Sequence, residues 1–190
     1  MLDSNRLQRL QQAPLWDFAL ALYGQPGVEQ ACLVLQDKAG LDVCELLFHS
    51  WLYQHGLQAA PVALNTIRQE RLSWQQRVTE ALRSLRRELK PQAEASDSIA
   101  TLRKTIQQAE LQAERENLQR WQAWAWQATA SNQRLTNNQI SPPEVARWLH
   151  DTLFFLEFDK QRQNGHHTQK NLLSALEVVA CQLDRLGSSR

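Results

Sequence analysis

Between positions 64 and 85 the residues Leu64, Ile67, Arg71, Trp74, Val78, Ala81 and Leu85 recur at alternating steps of three and four. That spacing returns to one side of an α-helix, whereas a strand returns to one face every second residue. Ile99, Leu102, Ile106, Ala109 and Ala113 repeat the steps, and Leu111, Leu118, Trp121 and Ala125 continue on a shifted line. Two long amphipathic helices joined by the polar stretch after Pro91 predict an αα-hairpin over 61–129. Its turn is expected in solvent, near Lys90 and Arg103. Arg71 is the discordant member of the seam. It predicts either a partly open interface or an ion pair across the hairpin to Glu110 or Glu114.

Nothing in the composition competes with helix. There are six Gly and six Pro, most of them between apolar-periodic stretches. Leu, Ala, Gln, Arg and Glu, all good helix formers, dominate the rest. The twenty-four glutamines sit among these residues at helical spacing, which reads as solvated helix surface rather than an aggregating tract. The expected fold is all-α: a helical bundle of short N-terminal helices with a long αα-hairpin and a C-terminal helix pair, in a single domain over 1–190.

The short helices occupy 14–56. Pro14 opens the first and Gly24 stops it, Pro26 and Gly40 bracket the second, and Asp42 is the N-cap of a third that ends at His55-Gly56. The C-terminal pair occupies 142–187. Ser141-Pro142-Pro143-Glu144 is a capping-box start for a helix carrying Val145, Trp148, Leu149, Leu153, Leu156 and Phe158, with Asn164-Gly165 as its stop. The second helix of the pair runs from Thr168 to Leu186, with Gly187 ending it. Residues 131–141 read as a polar loop.

A chain of 190 residues buries roughly 70% of its unfolded surface, so it needs no disulfide or metal to fold. Its three cysteines, Cys32, Cys44 and Cys181, are odd in number and widely spaced, which points to reduced thiols in a cytoplasm. The N-terminal residues lack the apolar core of a signal peptide, and no run approaches the ~20 apolar residues of a membrane span. A net charge of +1 exerts no overall pull on nucleic acid or anionic lipid. The charge is uneven all the same: residues 1–60 carry three basic and six acidic side chains, and residues 61–90 seven basic and three acidic.

Leu15-Trp16-Asp17-Phe18, Tyr23, Pro26-Gly27-Val28, Cys32 and Leu35-Gln36-Asp37 form a distinctive run. Asp42-Val43, Leu46-Leu47-Phe48 and Trp51-Leu52 extend it, as do Trp74, Val78, Leu82, Arg83, Arg86-Arg87 and Lys90. Over about residues 14–120 the chain resembles a family of uncharacterised proteobacterial proteins known only as a conserved domain of unknown function. The resemblance implies a bacterial cytoplasmic protein. It implies no activity, cofactor or catalytic residue.

Arg83, Arg86, Arg87 and Lys90 share one helical face, with Arg68 and Arg77 nearby. Such a face suits an acidic protein partner or the phosphates of RNA, DNA or a ribosome. The plainer reading is a helix C-terminus gathering cations against its dipole, with acids such as Glu80 at hand. Seven tryptophans is a high number, and Trp121, Trp124 and Trp126 cluster on the second hairpin helix. Indoles on more than one face suit a docking hot spot, and core packing is the plainer reading. A metal reading starts from Glu45 and His49 at i, i+4, or from His166-His167, but neither pair has a second pair at ligand spacing. Cys32 and Cys44 fall on apolar faces, where thiols act as small hydrophobes. Phosphate-binding glycine loops and nucleophile-elbow motifs are absent.

No catalytic residue, metal ligand or cofactor is therefore assigned. The favoured expectation is a non-catalytic interaction or adaptor module, with a protein partner or a second copy docked on the basic face and the tryptophans. One alternative is a small-ligand binder or enzyme with a pocket near Trp16, Tyr23, Glu45, His49 and Trp51, using Asp17, Asp37 and Asp42 as further polar groups. The other is nucleic-acid or ribosome association through 83–90.

Overall fold

The computed structural model describes residues 5–136, 139–154 and 166–188, and of the last stretch the side chains of 170–187. The chain is an all-α helical bundle with one small two-stranded ribbon. Helices α1 (Arg6–Gln12), α2 (Leu15–Tyr23), α3 (Val28–Ala39) and α4 (Val43–Gln54) come first. Strand β1 (Leu57–Ala59) and a 3-10 turn (Pro61–Leu64) lead into α5 (Asn65–Trp74), a π-helical turn (Gln75–Thr79) and α6 (Glu80–Glu88). After the short α7 (Lys90–Ala93), the long α8 (Asp97–Gln127) returns antiparallel to that rod. Strand β2 (Gln133–Leu135), α9 (Pro142–Leu153) and α10 (His166–Ser188) complete the described chain.

Local signals set several of the helix ends. The Asp42 carboxylate accepts a hydrogen bond from the Cys44 N–H at 2.8 Å and caps α4. Ser141 and Glu144 form the capping box of α9, with Pro142 in its first turn. Gly27 enters α3 at φ 82°, a left-handed conformation natural to glycine, and a Cβ there would stand 3.2 Å from Val178 Cγ1 on α10.

The core is centred on α4. Phe48, Trp51 and Leu52 are fully buried there, and Trp121 of α8 stacks on Phe48 with ring centroids 4.7 Å apart. Leu172, Leu176, Val179, Ala180 and Leu183 of α10 belong to the same buried cluster, and the Gln182 amide donates to the Pro26 carbonyl at 3.1 Å. The C-terminal helices therefore pack on the N-terminal ones.

Two elements lie outside what the spacing predicts. Helix α1 is polar in sequence, yet Arg6 and Leu10 are buried. The Arg6 guanidinium donates to the carbonyls of Ala125 (2.9 Å) and Ala128 (3.1 Å), groups left without helical partners at the end of α8, and to Gln133. The second is the ribbon. Leu57 pairs with Leu135 and Ala59 with Gln133, so the supposed loop 131–141 contributes a strand. Its pairing partner is distant in the chain, and no local pattern announces it.

The hairpin forms, but its seam differs from the predicted one. Leu64, Ile67 and Arg71 are buried, and after the π turn the buried positions are Thr79 and Arg83. Twelve residues separate Arg71 from Arg83. At about 100° per residue an uninterrupted α-helix would place Arg83 some 120° off the seam and carry Val78 and Leu82 inward instead. The π turn absorbs one residue and keeps Arg83 facing α8. Ala81 and Leu85 accordingly turn to solvent, as do Leu102 and Ala109 on α8. Arg71 pairs with its neighbour Glu70 and lies 5.9 Å from the Trp74 ring, while Glu110 and Glu114 are taken by Arg83.

Gly187 lies within α10, where a Cβ would meet Gln54 Nε2 at 2.9 Å, so it permits close packing before the helix ends. The predicted continuation of α9 through Leu156 and Phe158 to Asn164-Gly165 lies outside the described residues, as do the side chains of His166 and His167. Among the described residues no helix is long and apolar enough to cross a membrane.

Candidate functional site

A cavity of about 180 Å³ lies between the short helices and the hairpin. Helix α2 places Trp16, Leu20 and Tyr23 on it, and α4 places Asp42, Cys44 and Leu47. Gln75 of the π turn, Arg83 of α6, and Leu111, Glu114 and Leu118 of α8 close the other side. These residues converge because α2 and α4 pack against α8, and because the π turn aims Arg83 at the same gap. A more open cleft of about 550 Å³ shares Tyr23, Arg83 and Glu114 and continues toward Glu29, Arg87 and Lys104.

Two carboxyl groups face the cavity from opposite walls. Burial, reinforced by the nearby Glu45 charge, pushes the Asp42 carboxyl up to about 6, against the opposing effect of the Cys44 N–H and the Asn117 amide. Burial likewise raises Glu114, although Arg83 Nη2 donates to it at 2.9 Å. Tyr23 is pushed up to about 12 by burial and by Cys32 and Glu29. Burial, Asp42 and Glu114 raise the Cys44 thiol well above its ordinary value, so it is no ready nucleophile. Asn117 has no exposed surface. It sits within electrostatic reach of Asp42 and Cys44, yet neither amide atom makes a hydrogen bond of full geometry. Gln75 also lines the cavity, and its Oε1 is a buried acceptor without a hydrogen bond.

The expected basic face divides. Arg83 is buried and donates through Nε to Glu110 (2.9 Å), through Nη1 to Glu80 (3.2 Å) and through Nη2 to Glu114. Arg86 donates to the other Glu110 oxygen at 2.5 Å. Burial pushes Glu110 upward, but these two guanidinium groups hold it below the usual carboxylate range. Of the four, Arg87 and Lys90 remain exposed, which corrects the expectation of one continuous cationic face over Arg83, Arg86, Arg87 and Lys90. The tryptophans divide too. Trp121 is fully buried, Trp124 meets Phe48 edge-on at 5.8 Å, and Trp126 is half-buried.

The expected pocket residues are not all together. Trp16 and Tyr23 line the cavity. Glu45 faces a separate cleft and accepts from Arg68 Nε at 2.6 Å. His49 is fully buried, with Nε2 3.4 Å from Glu45, and burial lowers its basicity. Trp51 is core, its Nε1 donating to the Ala13 carbonyl at 2.7 Å. Asp17 and Asp37 are exposed. Among the described residues no group of three or more His, Cys, Asp or Glu side chains has a metal-holding arrangement. Gln75 and Glu114 are not legible as site residues, and Arg83 is expected on an exposed interaction surface rather than at a cavity. Arg83 and Glu114 read as helix-surface charges, and only the hairpin's return brings them to Asp42.

Residues 14–121 match the model of a family described as a protein of unknown function (DUF2390), and the chain belongs to that family. The matched span holds every described residue that lines the cavity, whereas α9 and α10 lie beyond it. No curated protein and no solved structure matches the chain.

Proposed function

We propose that this family member binds a small ligand in the cavity between α2, α4 and the hairpin. The observation that carries the reading is the pair Asp42 and Glu114, two partly buried carboxyl groups that approach one largely apolar space from different helices. Burial of a charged or polar group is costly unless something satisfies it, and apolar pockets with a few convergent polar groups are where small molecules bind. A cavity of about 180 Å³ is the size of a single ring, since a cavity near 150 Å³ accepts benzene.

The test is a ligand-observed NMR screen of single-ring fragments against the whole chain. Hits should compete with one another and disappear in Leu20→Trp, a substitution at an exposed position on the cavity rim. A screen without competing hits, or hits that Leu20→Trp leaves unchanged, overturns the proposal.

A second reading, a helical docking module, is supported by the leucines that the hairpin leaves outside. Leu72, Leu85, Leu102 and Leu111 are 55%, 44%, 51% and 47% exposed. Together with Arg87 and Lys90 they suit an acidic protein helix or a second copy of the chain. Sedimentation equilibrium over a wide concentration range tests the second copy, and a monomer throughout counts against it. Buried free Cys32 and Cys44 and the resemblance to proteobacterial proteins support a bacterial cytoplasmic setting for either reading.

A further inference from the structure

We infer that the cleft between α3 and the hairpin docks an acidic peptide segment, which inserts one bulky apolar side chain into the cavity. This rests on the docking reading above and names its surface and the partner's chemistry. The cavity of about 180 Å³ and the cleft of about 550 Å³ share Tyr23, Gln36, Arg83, Leu111 and Glu114, so they form one continuous depression. Leu47 and Leu118 wall its deep end, and the exposed Leu20 and Leu111 rim it. A deep apolar pocket with an apolar rim is the form that an anchor side chain fills at a protein interface. The volume of the deep end suits a single ring or a branched aliphatic group.

The open end supplies charge and hydrogen bonding. Arg83, Arg86, Arg87 and Lys104 line it, against Glu29, Glu110 and Glu114. Arg83 and Arg86 are engaged by Glu110, and Arg83 also by Glu114. Arg87 on one arm of the hairpin and Lys104 on the other are exposed, and neither has an ion pair or side-chain hydrogen bond among the described residues. Glu29, on the α3 side, is exposed and opposes them. At the deep end Asp42 is held by the Cys44 N–H as the cap of α4, and the Arg115 guanidinium lies 5.3 Å from the Trp16 ring centroid. Outside the ion-pair cluster, three cations, Arg87, Lys104 and Arg115, thus stand against two acids, Glu29 and Asp42. That balance favours a partner's carboxylates at the mouth. Gln36, Gln107 and Gln108 line the same cleft. A side-chain amide both donates and accepts, which is what the main chain of a docked segment requires. An apolar anchor, acidic flanks and peptide groups between them meet all three features of the depression.

The experiment selects heptapeptides from a randomised display library on the full chain. The enriched sequences, synthesised with a fluorophore, are then titrated by anisotropy. They should carry a phenylalanine, tryptophan or leucine flanked by aspartate or glutamate, and their binding should weaken with added salt. Arg87→Glu combined with Lys104→Glu, two exposed positions outside the ion-pair cluster, should weaken binding about tenfold or more. Arg87→Gln combined with Lys104→Gln, which removes the charge without repulsion, should fall between that chain and the native one. Leu20→Trp, which crowds the anchor pocket, should abolish binding. A selection that enriches no sequence, or enriches sequences without acidic flanks, overturns the inference, as does an affinity unchanged in the charge-reversed chain. Tighter binding of poly(U) RNA than of any peptide, lost in the same chain, overturns it too and makes the cleft a nucleic-acid surface. A failed selection with self-association in sedimentation sinks this inference alone, and a failed selection with a monomer throughout sinks the docking reading as well. The ligand reading is judged separately, because the charge-reversed chain should still bind the single-ring fragments.

Discussion

Arg83 Nε lies 2.9 Å from Glu110 Oε1, a contact that joins the two arms of the hairpin through groups that are 8% and 6% exposed. The same carboxylate accepts from Arg86, and the same guanidinium reaches Glu80 and Glu114. The far half of the hairpin is thus closed by an ionic cluster where the residue spacing predicts leucine and alanine.

Removing Glu110 would leave two guanidinium groups partly buried without their main partner. Glu110→Ala should cost about 3 kcal/mol in urea unfolding, because breaking a buried pair exposes the uncompensated charge of the other member. Arg87→Ala, on the exposed side, should change stability by less than about 0.5 kcal/mol. Equal effects of the two substitutions would show that the cluster contributes no more than a surface pair.

The register of that cluster depends on the π turn. Deleting Gln76 removes its extra residue and leaves Arg71 and Arg83 eleven positions apart, about three α-helical turns. Both then still face α8, and the unfolding midpoint should hold within a few degrees. An alanine inserted after Gln76 rotates Arg83 a further ~100° away and should lower the midpoint sharply. If deletion and insertion are equally damaging, the π turn is not what aligns the seam.

Asp42 titrates at about 6 in the folded chain and near 3.8 in the unfolded one. Its folded value is raised, so the native state holds the proton more tightly. Stability contributed by the protonated form is fully present below the unfolded value and is lost as pH rises through the folded one. Asp42→Asn keeps the cap and has no proton to lose. Its stability relative to the native chain should therefore rise between about pH 4 and pH 6 by on the order of 2 kcal/mol and then level off. Urea midpoints across that range measure it, and a flat difference would contradict the burial of this carboxyl.

The thiols offer a direct check on packing. Cys181 is exposed, whereas Cys32, pushed up to about 12 by burial, and Cys44 lie inside. A disulfide reagent at mildly alkaline pH should modify Cys181 promptly and reach Cys32 and Cys44 only in denaturant. Prompt modification of Cys44 would mean that the cavity is open to much larger molecules than a single ring.

The sequence by itself determined the helices and many of their ends. Asp42, the Ser141–Glu144 box, Gly24 and Gly40 act on the backbone groups next to them, so their effect is readable locally. The apolar steps likewise marked which stretches bury a face, as at Ile67, Ile106, Ala113, Trp121 and Leu176. Tertiary structure decided what those faces meet. A 3-4 repeat cannot reveal that a π turn will exchange Val78 and Leu85 for Thr79 and Arg83, because that shift is settled by pairing with Glu110 and Glu114 on a distant helix. Arg6 reads as a surface cation until the end of α8 presents it with open carbonyls. The cavity belongs to the same class. Asp42 is legible as a cap and Glu114 as a helix-surface acid, and only their partial burial about one shared cavity gives the pair its altered proton affinity and the site its chemistry.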